Sequence, residues 1–204
     1  MLVEGKNLFG ADAPISLDLR RNQRIVQAGA KYADLGQQPG TVFAGGTAVT
    51  GVAPGTALGT TTAFSLANPA GSKVNLVVLR ATMGYVSGTL GAGVVHYVAN
   101  TNVVGAAVTG TAITVTAMPI GSQAKGAGLA FTTATVPATP TVLRPFVSLG
   151  ASLATTAVQP WQIIEDVDGE FVIGPGGVLS LHATAAAGTS PLVTYGMTWA
   201  EIPL

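Results

Sequence analysis

Two stretches of the chain decide its fold, Val77-Val-Leu-Arg-Ala-Thr-Met-Gly-Tyr85 and Val193-Thr-Tyr-Gly-Met-Thr-Trp199. In both stretches large apolar residues recur at every second position, and mostly small or polar residues lie between them. Successive side chains of a strand point to opposite faces of a sheet, so this alternation is typical of half-buried antiparallel strands. The residues predicted to share the buried face of the first stretch are Val77, Leu79, Ala81, Met83 and Tyr85.

The same alternation continues through most of the chain beyond residue 60. Further strands are predicted around Phe64 and Leu66, 94–98, Ile113 and Val115, Leu129 and Phe131, 142–149, and 179–183. Pro145 cannot donate to a β-ladder, so it restricts 142–149 to a sheet edge or a bulge. Asp168-Gly169 predicts a hairpin turn between 163–164 and 171–173, because both residues tolerate a positive φ. We therefore expect an all-β fold, an antiparallel jelly-roll type β-sandwich with an extended N-terminal arm.

Composition divides the chain into residues 1–59, an N-terminal arm followed by a Gly/Pro/Thr-rich linker, and residues 60–204, the β-sandwich domain. The linker is the stretch 36–59. The basic residues of the arm include Arg20, Arg21, Arg24 and Lys31. Two interpretations of the arm stay open. It is either an ordinary N-terminal strand with a solvated face or an extended arm that becomes ordered on a neighbouring subunit.

Charge and cysteine content exclude several classes of protein. Charged residues make up 9% of the 204 residues, against roughly 25% in typical domains. This scarcity predicts a surface solvated by threonine and serine and partly buried against other chains. With no cysteine, the chain has no disulfide, no thiol catalysis and no cysteine metal site. No window approaches the roughly 20 apolar residues of a membrane helix, so no membrane partner is expected. The first residues do not resemble a signal peptide, which predicts synthesis in a host cytoplasm.

The sequence contains no convincing catalytic motif. No Gly-x-Ser-x-Gly elbow and no phosphate-binding Gly-x4-Gly-Lys-Ser/Thr loop occur. His96 and His182 are far apart in sequence. We interpret His96 as a core or seam residue and His182 as a surface or interface residue. The arm interleaves its arginines with aspartates and lacks stacking aromatics, so nucleic acid is not expected as a partner. We expect neither an enzyme nor a cofactor.

Four acidic residues, Glu165, Asp166, Asp168 and Glu170, form the densest charged group of the chain. Asp166, Asp168 and Glu170 are a weak calcium candidate, because closely spaced carboxylates with a glycine turn suit Ca²⁺. The remaining ligands of a calcium loop are absent, and alternate residues of a hairpin point to opposite faces. The preferred interpretation is a solvated hairpin tip that meets a basic neighbour.

Four segments carry a resemblance to virion structural proteins of tailed bacteriophages: 60–71, 75–85, 174–182 and 197–203. The closest type is the jelly-roll decoration (cement) protein on the outside of the head. The resemblance covers roughly residues 60–203 and lies in pattern, without a diagnostic motif. It implies a homotrimer on the capsid exterior that binds the major capsid protein, stabilises the shell and has no active site.

The arm and the acidic group are our prediction for the capsid or subunit interface: Arg20, Arg21, Arg24, Lys31, Glu165, Asp166, Asp168 and Glu170. The rival function is a trimeric head-fibre or tail receptor-binding (adhesin) β-domain. Such a domain requires an exposed recognition patch, for which Trp161 is the candidate, and a glycan on the outer face would be its ligand.

Overall fold

The computed structural model describes residues 4–6, 12–14, 32, 35–36, 38–101, 108–150 and 162–204. The chain divides into two compact units, Met1–Asp34 and Leu35–Leu204. In the first unit, β1 (Glu4–Lys6) pairs antiparallel with β2 (Asp12–Pro14). The described part of the chain contains no helix of the length and apolar content needed to cross a membrane.

The second unit is a sandwich of two antiparallel sheets, as the alternating pattern predicts. Its strands are β3 (Val42–Gly46), β4 (Thr61–Ala67), β5 (Val74–Ser87), β6 (Gly93–Asn100), β7 (Thr109–Ala112), β8 (Thr116–Met118), β9 (Leu129–Thr135), β10 (Thr141–Leu149), β11 (Gln162–Asp166), β12 (Val172–Ile173), β13 (Val178–Ala185) and β14 (Leu192–Pro203). We call the sheet with order β10-β6-β13-β4-β9-β7 sheet I. Sheet II has the order β11-β5-β14-β3-β8, and β12 also pairs with β5.

The core lies between the two sheets and is built from large side chains of both. The largest buried members are Trp199, Tyr97, Phe43, Phe64, Leu66, Leu76, Met83 and Leu181. Burial of this apolar surface is the main favourable contribution to folding. The core therefore depends on long strands of both sheets that are distant in sequence.

Strand β3 corrects the predicted boundary at residue 59, because it lies inside the stretch interpreted as linker. Val42 and Phe43 are buried, and Phe43 stacks on Trp199 of β14 with ring centroids 6.4 Å apart. β3 pairs with both β14 and β8. Its apolar run is too short for a clear alternation, and Gly45-Gly46 follows it at once, so its sequence resembles a loop.

Two local predictions along β5 need correction. Leu79, Ala81 and Met83 are buried as predicted, but near the start of the strand Leu76 and Val78 are buried and Val77 is not, so the buried face changes parity. Opposite this change, the register against β14 shifts between Thr198 and Trp199, so one extra residue exchanges the two faces of the strand.

The Asp168-Gly169 segment does not form a hairpin. β11 and β12 both pair with β5 and lie one after the other along it. Asp168 and Gly169 do take the positive φ values of 55° and 84°. They form a short loop whose amides bind Leu79 O and Val78 O of β5. A positive φ allows either a turn or a bulge, and the neighbouring β5 strand decides between them.

The strand predicted around Ile113 and Val115 does not form, because the chain passes from sheet I to sheet II at these residues. β7 ends at Ala112 in sheet I, and β8 begins at Thr116 in sheet II. Ile113 and Val115 still pack against the core, so alternation identified their burial but not their backbone pairing. The prediction for 142–149 is confirmed, because β10 is an edge strand with register shifts on both sides of Arg144-Pro145.

Candidate functional site

The predicted acidic residues lie at one side of the sandwich. There β10 forms the edge of sheet I, and β11 and β12 lie along the same outer side of β5 in sheet II. Arg144 of β10 reaches Glu165 and Glu170, so one guanidinium links the two sheets. We call Arg144, Glu165, Glu170, Tyr97 and Phe171 the Arg144 cluster.

The Arg144 guanidinium is held on several sides. Its Nη2 lies 2.5 Å from Glu165 Oε1 and 2.8 Å from Glu170 Oε2, and its Nε lies 3.1 Å from both Glu170 oxygens. Its Cζ lies 4.6 Å from the centre of the Tyr97 ring and 5.1 Å from that of Phe171. Forked hydrogen bonds to carboxylates combined with aromatic contacts are a geometry that arginine satisfies and lysine does not.

Tyr97 connects the cluster to the core. Its side chain is buried, and its hydroxyl donates to Glu165 Oε2 at 3.2 Å. Burial, followed by the adjacent Glu165 carboxylate, raises the pKa of Tyr97 well above its usual range. Burial would lower the pKa of Arg144, but hydrogen bonds and charge from Glu170 and Glu165 raise it overall. The Arg144 guanidinium is therefore a permanent cation that binds Glu165 and Glu170, and the neutral Tyr97 phenol donates to Glu165.

Asp166 and Asp168 do not join this cluster into a metal site. Asp166 pairs with Arg80 at 2.7 Å, and both side chains are more than 40% exposed. Asp168 is exposed in the loop between β11 and β12. Across the part of the chain that the structure describes, no group of three His, Asp or Glu side chains could hold a metal ion. The calcium interpretation of Asp166, Asp168 and Glu170 is thus not supported, because Asp166 and Glu170 face different arginines.

A cavity of about 260 Å³ lies beside the Arg144 cluster. Its wall includes Asn100 at the end of β6, Leu143 of β10, and Glu170, Phe171 and Val172 around β12. Leu143 and Val172 are two of the large apolar side chains that remain exposed, at 46% and 56%.

Asn100 is the one wall residue with an unpartnered buried polar atom among those that the structure describes. Its Nδ2 donates to Ala138 O at 2.8 Å, which fixes the orientation of the amide. Its Oδ1 has no hydrogen-bond partner, although the residue is only 8% exposed. A buried acceptor without a donor costs about 1–3 kcal/mol.

His182 is buried, which corrects its interpretation as a surface residue. Its Nε2 lies 2.6 Å from the carbonyl oxygen of Ala57, in the connection between β3 and β4. Because a carbonyl only accepts, this nitrogen carries the proton. His96 is the register partner of His182 on β6, and its Nε2 lies 3.1 Å from Thr184 Oγ1. Both histidines therefore have structural contacts within sheet I and its covering loop.

Glu201 is a buried carboxylate that the sequence did not distinguish. It is buried near the end of β14 and accepts hydrogen bonds from Ala127 N, Gly128 N and Trp199 Nε1 at 2.8, 2.9 and 3.2 Å. It holds the connection between β8 and β9 against the core. Its signal in sequence was weak, since one acidic residue after an alternating strand also fits an exposed strand end.

The outer side of sheet II is a surface poor in charge. We call it the threonine–glycine face, and its members are Gln162, Ile164, Asp166, Arg80, Thr82, Gly84, Thr194, Gly196, Thr198, Ala44, Gly46 and Thr116. Thr82 lies opposite Gly196, and Thr194 lies opposite Gly84. A Cβ on Gly196 or Gly84 would come within 2.8 or 2.9 Å of the hydroxyl oxygen opposite, so each threonine covers its glycine.

Arg20, Arg21, Arg24, Lys31 and Trp161 lie outside the described residues, so the predicted roles of the arm and of Trp161 stay predictions. The chain matches no protein-family model, no curated protein and no solved structure. Function is therefore inferred from the geometry of the sandwich and its surfaces.

Proposed function

We propose that this protein is a virion structural protein, a capsid decoration protein that binds the outside of a tailed-phage head as a homotrimer and stabilises the shell. The threonine–glycine face carries the proposal. Of its twelve members only Arg80 and Asp166 are charged, and they pair with each other. A shallow groove of about 330 Å³ on this face is lined only by Ala, Gly, Thr and Met residues. Exposed monomer surfaces usually carry about 25–35% charged residues, so a face of this kind suits contact with another protein.

The finer fold assignment is part of the same proposal, a jelly roll. Eight strands support it: β3-β14-β5-β11 are neighbours in sheet II, and β4-β13-β6-β10 are neighbours in sheet I. Along the chain, β3, β4, β5 and β6 alternate between the two sheets, as do β10, β11, β13 and β14. Two interlocked sets of four strands are the arrangement expected of a jelly roll, and β7, β8 and β9 are then an insertion between its halves.

Stabilisation of a shell follows from repetition of contacts. Every copy presents the same threonine–glycine face, and a closed trimer presents three. Once one contact forms, the effective concentration for the next is high, so many weak contacts give firm attachment. A closed trimer also covers sheet edges that would otherwise invite aggregation.

The native mass and its sensitivity to the threonine–glycine face test this proposal. We expect light scattering to give three times 20.3 kDa for the natural chain, with or without EDTA. Thr82→Arg places a charge in the middle of the face and is expected to give monomers or to abolish capsid binding. Thr135→Arg, at the exposed last residue of β9 in sheet I, is the matched control and is expected to change neither.

The result against the proposal is a monomer that does not bind capsids, or a trimer that binds them equally well with Thr82→Arg. Copy number per particle then separates the two virion roles. Hundreds of copies are expected for a decoration protein, and a few to dozens are expected for a receptor-binding tip. A copy number of only a few to dozens would favour the adhesin alternative.

A further inference from the structure

The segment 52–58, which we call the strap, crosses from sheet II to sheet I in the connection between β3 and β4. Val52 exchanges two backbone hydrogen bonds with Val193 of β14, at 2.8 and 2.9 Å. Further along the strap, Pro54 O accepts a hydrogen bond from Ala183 N of β13 at 3.1 Å. The strap therefore ties the two sheets together, and backbone hydrogen bonds hold it on both of them.

The imidazole of His182 adds a side-chain contact to the strap. It is only 2% exposed, and its Nε2–H donates to Ala57 O at 2.6 Å. The strap passes close to the ring, since a Cβ on Gly55 would lie 3.6 Å from His182 Cε1. The other ring nitrogen, Nδ1, is covered and has no hydrogen-bond partner among the described residues. A second proton would therefore make Nδ1 a charged donor without an acceptor in this closed arrangement.

The described elements around His182 contain no carboxylate that could offset a positive charge on it. The strap and the strands β4, β6 and β13 are free of Asp, Glu, Lys and Arg. Besides His182, their titratable side chains are Tyr97, which packs in the core, and His96, the register partner of His182 on β6. Register partners on neighbouring antiparallel strands have Cβ atoms about 4.5–5.5 Å apart, so a proton on His96 would add a like charge.

The nearest strand with charged residues is β10, which pairs with β6 on the side away from β13. Its residue opposite His96 is Pro145, whereas Arg144 is opposite Tyr97 and lies over the Tyr97 ring. His96 and Tyr97 are consecutive in a strand and point to opposite faces of sheet I. Arg144 and the carboxylates that it binds therefore lie on the other face of sheet I from His182.

We propose that His182 is a pH-sensitive switch, and that its protonation below about pH 6 releases the strap from β13. In the closed arrangement the added proton is a buried charge beside a second histidine, whereas water solvates the imidazolium once the strap has left. Release would uncover Pro54, which is buried, and Val52, which packs against the core. Acid would thus expose apolar surface that is covered at neutral pH. This inference goes beyond the proposed function and does not depend on the number of copies in the assembly.

Hydrogen exchange of the Ala183 amide, followed by NMR on the full natural chain, tests the switch. This amide donates to Pro54 O, so it exchanges when the strap leaves. An exposed imidazole titrates near about pH 6.5, so at about pH 5 an open state that gains the proton is favoured by up to about thirtyfold. Between about pH 7.5 and about pH 5 we expect the protection factor of Ala183, corrected for the intrinsic exchange rate, to fall about tenfold or more. The matched control is the amide of Asn68, which donates to Gly177 O beyond the other end of β13 and should keep its protection.

Two variants assign the effect to one of the two histidines. His182→Gln keeps an N–H donor for Ala57 O but gains no charge in acid, so Ala183 should stay protected at both pH values. His96→Gln removes the neighbouring imidazole and leaves His182 in place, so the acid-induced fall should persist. A fall that persists in His182→Gln overturns the assignment to His182.

The natural chain alone also decides the proposal, should His182→Gln fail to fold. Equal protection of Ala183 at both pH values overturns it. An equal loss at Asn68 overturns it too, because the whole sandwich then opens and not the strap. The imidazole nitrogen chemical shifts of His182 should show the neutral Nε2–H form at about pH 7.5 and the imidazolium only as Ala183 loses protection. An imidazolium at His182 while Ala183 stays protected would show that the closed strap tolerates the charge, and would overturn the switch.

Discussion

Two carboxylates fasten the sandwich in different ways, Glu165 in the Arg144 cluster and Glu201 near the end of β14. Glu165 is partly exposed and faces a charged guanidinium across the gap between the sheets. Glu201 is buried and accepts three N–H groups, two of them from the backbone of one loop. Water and salt screen the attraction within a partly solvated ion pair. Removal of a buried carboxylate, in contrast, leaves its hydrogen-bond donors buried and unsatisfied. Glu201 should therefore contribute more to stability, although Glu165 belongs to the larger cluster.

The largest effect is expected for Glu201→Ala. Three N–H donors would lose their acceptor in a buried place, so the free energy of unfolding should fall by about 3–5 kcal/mol. Urea denaturation at one fixed protein concentration measures it, since the stability of an assembly depends on concentration. Glu165→Ala is the matched comparison and should cost about 1–2 kcal/mol. Equal losses for the two variants would break the distinction between them.

Arg144→Met is expected to have the next largest effect. It keeps an apolar stem against Tyr97 and Phe171 but leaves Glu165 and Glu170 without their cation, at a cost of about 2 kcal/mol. Stability of the natural chain should fall between low and high salt, because exposed ion pairs are screened. The variant should show a smaller fall. An identical salt dependence in both proteins would mean that the cluster contributes packing and little charge attraction.

Alkaline pH should weaken the core through two tyrosines. Burial raises the pKa of Tyr97 and of Tyr195 well above the usual value. Above about pH 10 the unfolded chain releases these protons while the folded chain keeps them, so stability falls as pH rises, by about 1.4 kcal/mol per pH unit for each tyrosine.

Urea denaturation at pH values on either side of 10 measures this fall, and phenylalanine variants assign it to the two residues. Tyr97→Phe and Tyr195→Phe should each reduce the slope. At neutral pH only Tyr97→Phe should cost stability, because the Tyr97 hydroxyl donates to Glu165 and the buried Tyr195 hydroxyl has no hydrogen-bond partner among the described residues. An unchanged slope in the double variant would show that other groups cause the alkaline loss.

The smallest effect is expected for Asp166→Asn. Its partner Arg80 is about half exposed, and exposed ion pairs contribute about 0–1 kcal/mol. Thermal unfolding should therefore change little. A loss as large as that of Arg144→Met would remove the contrast between the exposed pair and the cluster that links the sheets.

The alternation of apolar and polar residues predicted most of the long strands, because side-chain direction in a strand is a local property. The edge position of β10 was predictable for the same reason, since Pro145 removes a donor wherever it lies. Non-local contacts decided the errors. Phe43 became a core residue because Trp199 lies beside it, and Asp168-Gly169 formed a loop along β5 because that strand offered carbonyl acceptors.

The candidate site was predictable only in part. Glu165 and Glu170 were identified as a charged group, but their partner Arg144 is more than 20 residues away in sequence. Asn100 carried no signal and Glu201 only a weak one, because an isolated asparagine or glutamate looks the same whether a loop covers it or water does. The role of the arm residues Arg20, Arg21, Arg24 and Lys31 stays a prediction, because they lie outside the described residues.

By itself the sequence determined that this chain forms β-strands, which residues alternate along most of them and how few charges its surface carries. Tertiary structure alone decided which strands became neighbours, that β3 joined sheet II, and that His182 and Glu201 were buried. The physical reason is that the alternation of apolar and polar residues indicates only that one face of a strand is buried. The element that covers that face is set by contacts between residues distant in sequence, and no local pattern encodes them.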